Sequence, residues 1–274
     1  MRITNYNDIF EIRTASDCCV IVYIDDTAIG LESANQMIEI LTRALLVNRP
    51  HWLCEYIPSY TSLLIEFSLF DTDHLRVYAF LRQLFIDADM EISDCIADKS
   101  VVQLEASCEQ ISNDSHARKS KLSTPKRIHR IPVCYELTSL QTDLYKVARD
   151  KNISEDTVIQ LHCANLYRVF ATGFMPGFAY LGELPEELSQ PRLSKPRLKV
   201  PKGAVAIADR QTAVYPDESP GGWHIIGYTP LELLFSTTDA SSIKSGDVEA
   251  LLKTGDCVQF YPISESEYVN WVDS

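Results

Sequence analysis

GFMPGFAYLGELP (Gly173–Pro185), PRLSKPRLKVPKGAVAIA (Pro191–Ala208) and QTAVYPDESPGGWHIIGYTP (Gln211–Pro230) are the stretches that decide how this chain folds. Between them, Gly173 to Pro230 hold seven of the ten glycines and eight of the thirteen prolines. Glycine opens backbone angles closed to other residues, and proline fixes one angle and removes a donor. A segment dense in both has its path specified residue by residue. The apolar runs around these turns are short: YRVFAT, AVAIAD, AVYP, WHIIG, ELLFS and, near the end, DCVQFYPI. Many short strands with tightly specified connections predict a barrel or closed sheet.

Upstream of these turns, IHRIPVCYE (Ile128–Glu136) reads as the first strand of the same domain. A helix is expected from about Gln141 to Asp150, carrying Leu144, Val147 and Ala148. Ser154 announces a second helix, with Glu155 and Asp156 in its first turn, where carboxylates suit the helix dipole. That helix delivers His162.

The amino-terminal half has a different rhythm. CCVIVYI (Cys18–Ile24) reads as a buried strand. Ser33, three residues before Gln36, has the spacing of a capping box, and Met37, Ile38, Leu41, Ala44 and Leu45 recur on one face until Pro50. WLCEYI (Trp52–Ile57) and SLLIEF (Ser62–Phe67) form a strand pair with a turn through Pro58 and Ser59. Asp71 or Thr72 caps a second helix with Leu75, Tyr78, Leu81, Leu84 and Phe85 inward, and SVVQLEA (Ser100–Ala106) is a further strand. The order β-α-β-β-α-β predicts a ferredoxin-like α/β sandwich. It contains no nucleophile and base pair, phosphate loop or metal-ligand spacing, and His51 and His74 read as surface or capping residues.

The expected architecture is therefore α+β, with a ferredoxin-like domain over residues 1–108, a polar linker over 109–129 and a barrel domain over 130–274. The basic cluster Arg118, Lys119, Lys121, Lys126, Arg127 and Arg130 reads as a solvated linker rather than an anion site. A net charge of −13 on 274 residues and a pI near 4.9 exclude a general nucleic-acid binder. The first residues lack a leader pattern, and no apolar run approaches the roughly 18 residues that span a bilayer, so a cytoplasmic location is expected. Eight scattered cysteines, with one adjacent pair at Cys18 and Cys19 and no C-x-x-C spacing, are expected as free thiols.

Candidate chemistry sits in the turn-rich half. Pro191 to Lys202 carries Arg192, Lys195, Arg197, Lys199 and Lys202 without one acid. On so acidic a chain this is a local inversion, readable as an anion site or as a solvated loop with surface ion pairs. His162 is readable as a general base or as a structural hydrogen-bond anchor. Tyr180 and Tyr215, each beside a tight turn, are placed to project hydroxyls into a cleft, with Phe174, Phe178 and Trp223 as its walls or core. Gln211 is a candidate for reading an amide or carboxylate. SPGGW lacks the frame and the following Lys-Ser/Thr of a phosphate-binding loop.

The blocks GF-x-PGFAYLG-x-LP, PR-x-x-x-PR-x-x-VP-x-G-x-VAIA and QT-x-x-YP-x-x-SPGGW-x-x-IG-x-TP together resemble the family of 5-oxoprolinase B subunits. That family is also labelled allophanate hydrolase subunit 1 and includes the KipI-type histidine-kinase inhibitors. The resemblance is dense from about Arg130 to Tyr261 and weaker but collinear before it. It implies a cyclophilin-like barrel in the carboxy-terminal domain and a likeness to a carboxyltransferase half of urea carboxylase. It also implies a polypeptide that works with a KipA-type C subunit and an A subunit. Together these cleave 5-oxoproline to glutamate at the expense of ATP, through phosphorylation of the lactam oxygen. Because no complete catalytic set can be assembled from this sequence, the chain alone is expected to be inactive. The alternative within the family is a protein that docks on a sensor histidine kinase and blocks its autophosphorylation.

Carried over by motif, thirteen positions line the cleft; the proposed reaction assigns catalytic roles to four of them, with Arg192 and Arg197 holding the substrate carboxylate or phosphoryl charge and His162 or Tyr215 assisting proton transfer. The substrate-lining positions are Gly173, Phe174, Pro176, Gly177, Tyr180, Gln211, Gly221, Gly222 and Trp223, and no metal ligands are implied. The chain departs from the pattern at Asp209 and Ala213, where the family usually has glycine, and at Tyr228, where arginine is common before TP. These changes bear on whether the substrate is 5-oxoproline or another small amide.

Overall fold

In the computed structural model the chain divides into two compact units, Met1–Pro125 and Lys126–Ser274. The structure describes residues 3–4, 9–27, 29–97, 128–236 and 248–273.

The first unit is an antiparallel sheet covered by two helices. In chain order it runs β1 (Ile3–Thr4), β2 (Phe10–Ser16), β3 (Cys19–Ile24), α1 (Leu31–Val47), β4 (Leu53–Ser59), β5 (Ser62–Phe67) and α2 (His74–Ala97). The spatial order is β1-β2-β3-β5-β4. Alternate residues of β3 and β5 turn inward, so Val20, Val22, Ile24, Leu63, Ile65 and Phe67 form one apolar face. Met37, Ile38, Leu41 and Leu45 from α1 and Val77, Tyr78, Leu81, Leu84 and Phe85 from α2 close over it. Burying each of the larger side chains stabilises the unit by roughly 1.5–3 kcal/mol.

Several local expectations shift. Strand β2 carries little sequence signal because only Phe10 and Ile12 of FEIRTAS are buried, too short an alternation to stand out. It pairs with β3 on the edge where a ferredoxin-like order would place the strand after the second helix. The strand expected at Ser100–Ala106 lies outside the described residues. Helix α1 starts after Gly30, whose φ of 87° turns the chain, and no side chain caps it, so Ser33 sits inside the first turn. Asp73, rather than Asp71 or Thr72, accepts from the Arg76 N–H at 3.0 Å and starts α2. Leu75 is 69% exposed, and Val77 takes the inward place beside Tyr78. Pro58 and Ser59 continue β4, and the turn falls after them. The sheet edge tolerates a proline there because no ladder donor is lost.

The second unit contains β6 (Ile128–Val133), α3 (Leu144–Lys151), α4 (Glu155–Ala164), β7 (Leu166–Thr172), β8 (Ala179–Gly182) and a 3-10 turn at Glu186–Leu188. It continues through β9 (Arg197–Val200), β10 (Ala204–Ala208), β11 (Gln211–Val214), β12 (Ser219–Gly221), β13 (His224–Tyr228), β14 (Leu234–Ser236), β15 (Val248–Ala250), β16 (Cys257–Pro262) and α5 (Glu265–Val272). The expected linker, 109–129, lies outside the described residues except for its last two, which already belong to β6.

Seven strands form one sheet in the order β13-β10-β11-β8-β7-β16-β6. Its two ends meet. Cys134, just past β6, donates to the Tyr228 carbonyl at 2.8 Å and accepts from the Tyr228 N–H at 2.9 Å, bringing the sheet close to a closed barrel. Val133, Val169, Leu181, Val205, Val214, Ile226 and Val258 fill the interior, and Leu144, Val147 and Val158 of α3 and α4 pack against them. Ser154 caps α4 as its sequence predicts, accepting from the Thr157 N–H at 3.1 Å. Two ribbons, β9 with β12 and β14 with β15, stand apart from the seven-stranded sheet. No helix among the described residues is long and apolar enough to cross a membrane.

Closure depends on Gly227. A Cβ there would come within 2.7 Å of Val133 Cγ1 and 2.9 Å of the Cys134 carbonyl oxygen, both on the strand that must approach. Gly227→Ala is expected to lower stability by about 2 kcal/mol through overpacking at the seam, read as a reduced urea midpoint. An unchanged midpoint would show that the two ends do not meet this closely.

Candidate functional site

Most of the turn residues singled out in the sequence converge on one recess of about 200 Å³ in the second unit. Its lining includes Phe174, Phe178, Tyr180, Arg192, Tyr215 and Trp223, with Gly221 and Gly222 on one side. Leu193, Pro196 and Pro220 complete it and were not among the expected site residues, although all three stand inside the quoted stretches.

The turn between β7 and β8 supplies Phe174 and Phe178. Its path follows from Gly173, Pro176 and Gly177, which shape the recess without lining it. Gly177 has a φ of 77° and leaves no room for a Cβ, which would lie 2.7 Å from Leu234 Cδ2. The turn is clasped by the Gly173 N–H on the Phe178 carbonyl and by the Phe178 N–H on the Met175 carbonyl, each at 3.1 Å. Phe174 takes a φ of 71°, a strained conformation for a bulky residue, and stays 62% exposed. Phe178 is the hub of the wall. Its ring meets Phe174, Tyr180, Tyr215 and Trp223 edge-on at centroid distances of 5.3, 5.0, 5.4 and 6.0 Å.

Tyr215 is buried beside Gly221, where a Cβ would run into the phenol oxygen. Burial pushes the Tyr215 phenol up, against the opposing pull of Arg192 and Arg197, so at neutral pH it is a hydrogen-bond donor rather than a base. The Arg192 guanidinium lies 5.9 Å from the centroid of the Trp223 ring, within cation–π range.

The five cations of Pro191–Lys202 do not gather into one anion site. Lys199 pairs with Glu218 at 2.8 Å and Lys202 with Glu232 at 2.7 Å, both on the surface. Arg197 is committed to Asp143, with both carboxylate oxygens at 2.6 and 2.7 Å, and its other nitrogen donates to the Trp223 carbonyl at 3.1 Å. Arg192 is the cation that lines the recess, with Asp209 Oδ2 at 3.7 Å from its Nε. Gln211 opens β11 opposite Ala208 and is not part of the lining.

Residues 10–243 match the family described as carboxyltransferase domain, subdomain C and D. The chain belongs to this family. Its relatives include the 5-oxoprolinase B subunit of Bacillus subtilis, 33% identical over 218 residues that cover 78% of this chain and 77% of that protein. The protein of the same name from Escherichia coli O157:H7 is 43% identical over 53% of this chain and 62% of its own length. Among solved structures, TTHA0988 superimposes over 92% of this chain and 40% of its own with a TM-score of 0.64 and 28% identity. The chain thus spans less than two thirds of the Escherichia coli relative and of TTHA0988. Membership of the carboxyltransferase family agrees with the mixed α/β architecture and its barrel-like sheet.

His162 belongs to the barrel core and not to the recess. It is 0% exposed, its Nδ1 lies 2.7 Å from the Tyr135 hydroxyl, its Nε2 lies 3.0 Å from Thr212 Oγ1, and its ring stacks on Phe260 at 4.5 Å. With both nitrogens occupied and no path to solvent, it has neither a free lone pair nor access to substrate. Asp143, which sets Arg197 and through it the Trp223 backbone, has no distinctive place in the sequence. The helix expected from about Gln141 takes Asp143 into its first turn, where an acid is ordinary, whereas the observed helix starts at Leu144 and leaves Asp143 before it.

Two measurements follow from these positions. Arg197→Ala leaves the Asp143 carboxylate, 12% exposed, without its cation and is expected to cost about 2 kcal/mol or more; an unchanged urea midpoint would remove the pair from its structural role. Burial holds the His162 pKa down to about 3, far below its unfolded value near 6.5. The unfolded chain therefore takes up a proton that the folded chain refuses. Stability is fully present above pH 6.5 and declines as pH falls toward 3, by up to about 1.4 kcal/mol per pH unit from this group. Equilibrium unfolding of His162→Gln should show a shallower acid slope than the wild type; equal slopes would mean that His162 titrates normally.

Proposed function

We propose that this chain is the B subunit of a heteromeric ATP-dependent 5-oxoprolinase, acting with an A subunit and a KipA-type C subunit to open 5-oxoproline to glutamate. The observation that carries this reading is the recess: an aromatic enclosure of about 200 Å³ with one guanidinium, from Arg192, among its lining residues. A compact five-membered lactam with a carboxylate suits that volume, whereas drug-sized ligands occupy roughly 300–1,000 Å³. The name shared by the Bacillus subtilis and Escherichia coli relatives supports the same reaction. The barrel that carries the recess is read as the family's cyclophilin-like domain.

In this reading Arg192 holds an oxygen of the substrate by a charge-assisted hydrogen bond. The Tyr215 phenol, kept protonated by burial, donates to a second oxygen, and Tyr180, Phe178 and Trp223 keep water from the ring. The recess does not suit ATP. Its volume is small, its lining offers one cation, and among the described residues no glycine-rich loop opens a helix beside it to receive phosphates. In this reading the nucleotide is held outside the recess. The lining residues supply binding and hydrogen-bond donors but no general base, so the chain alone is expected to be inactive.

Co-expression of the three proteins tests this. Arg192→Ala is expected to raise the KM for 5-oxoproline by about tenfold or more, the equivalent of one charge-assisted hydrogen bond of roughly 1.5–3 kcal/mol. An assembled complex without 5-oxoproline-dependent ATP turnover, combined with silencing of a sensor histidine kinase by this chain, would replace the enzyme reading with the inhibitor one.

A further inference from the structure

Asp209 occupies a place in the backbone that resists it. It begins the two-residue turn between β10 and β11, whose flanking residues Ala208 and Gln211 are paired, and it takes a φ of 51°. That left-handed region is comfortable for glycine and unfavourable for residues with a Cβ, although aspartate enters it more readily than most. The turn is pinned in place. The Asp209 N–H donates to the Gln190 carbonyl at 2.6 Å, and Gln190 is two residues before Arg192. The same short stretch thus fixes both the turn and the guanidinium, bringing Asp209 Oδ2 to 3.7 Å from Arg192 Nε. The next residue, Arg210, pairs with Glu183 at 3.4 Å.

At 3.7 Å this is a neighbouring charge and not a clamp. Asp209 stands outside the lining and approaches Nε, so Arg192 keeps its terminal nitrogens for a ligand, yet any anion that reaches them also feels the field of the Asp209 carboxylate. We propose that Asp209 is a specificity-determining residue. By partly neutralising Arg192 it narrows the preference of the recess for a carboxylate over a neutral amide at the end that meets the guanidinium. A neutral amide carbonyl accepts from Arg192 without repulsion. A carboxylate gains the same hydrogen bond against a like charge. Because both side chains are about 60% exposed, at 60% and 61%, solvent screens the effect and its size is about fivefold in affinity.

This inference rests on reading the recess as a small-amide site, and two experiments separate the claims. In the co-expressed complex, KM is compared for 5-oxoproline and its neutral carboxamide in the wild type, Asp209→Asn and Asp209→Gly. Asparagine keeps the tolerance for the turn while removing the charge, and glycine also relieves the backbone. In both variants the KM for 5-oxoproline is expected to fall about fivefold while that for the carboxamide stays put; equal changes for the two compounds, or none, overturn the proposal.

The second experiment needs no turnover. Fluorescence of the isolated full chain is quenched with iodide and, separately, with neutral acrylamide. Asp209→Asn should raise iodide quenching of Trp223 without changing acrylamide quenching, and adding Arg192→Ala should abolish the gain. Trp52 and Trp271 contribute equally to each protein and drop out of the difference. Unchanged iodide quenching overturns the charge assignment whatever the complex does. Enhanced iodide quenching in a chain whose complex shows no 5-oxoproline turnover upholds the role of Asp209 and rejects the oxoprolinase reading instead.

Discussion

The carboxylate of Asp143 holds together the parts of the second unit that would otherwise drift independently. Both its oxygens accept from one terminal nitrogen of Arg197 and one of them also from the N–H of Ile225 at 2.8 Å, while the Asp143 N–H donates to the Ile225 carbonyl at 2.5 Å. Arg197 begins β9, Asp143 precedes α3, and Ile225 lies in β13, so one side chain ties a ribbon, a helix and the barrel. The further bond from Arg197 to the Trp223 carbonyl sets the backbone that carries the recess wall. A half-buried ion pair contributes little net stability against its desolvation, but its geometry is unique, and uniqueness is what a wall made of turns requires.

A second buried polar arrangement works differently. His162 bridges the Tyr135 hydroxyl and the Thr212 hydroxyl, and Thr212 in turn donates to the Ala206 carbonyl at 3.2 Å. The chain of bonds links α4, the segment after β6, and strands β10 and β11 inside the barrel. Burial keeps the imidazole neutral and raises the Tyr135 phenol well above its usual range, so each group stays in the uncharged form that the core can hold. The recess obtains its rigidity from edge-on aromatic contacts centred on Phe178 instead, which leave hydroxyls and one guanidinium free of the core's constraints.

These differences explain what can be read from the residues alone. The barrel strands, the Ser154 cap and the convergence of Phe174, Tyr180, Tyr215, Gly221, Gly222 and Trp223 are all visible, because glycine and proline restrict the backbone locally and leave a local trace. Arg197 and His162 are not separable from functional residues, since what decides their roles is a partner far along the chain: Asp143 for one, Tyr135 and Thr212 for the other. An arginine in a basic loop carries the same local pattern whether its fork is empty or filled. Strand β2 fails to show for a related reason, because it turns only two side chains inward and its identity comes from the strands it pairs with, β1 and β3.

The same distinction governs the charge of the site. Five cations within twelve residues suggest a strong positive field, yet Arg197, Lys199 and Lys202 each find an acid supplied from elsewhere in the unit. Of the other two, Lys195 is exposed outside the recess lining and Arg192 lines it, and even Arg192 shares its field with Asp209. Charge counted along a sequence therefore overstates charge available to a ligand on an acidic protein, where carboxylates are abundant enough to meet most cations on folding. Selectivity in such a site comes from which cation is left incompletely paired. Here that depends on a two-residue turn holding an acid beside the guanidinium that lines the aromatic wall.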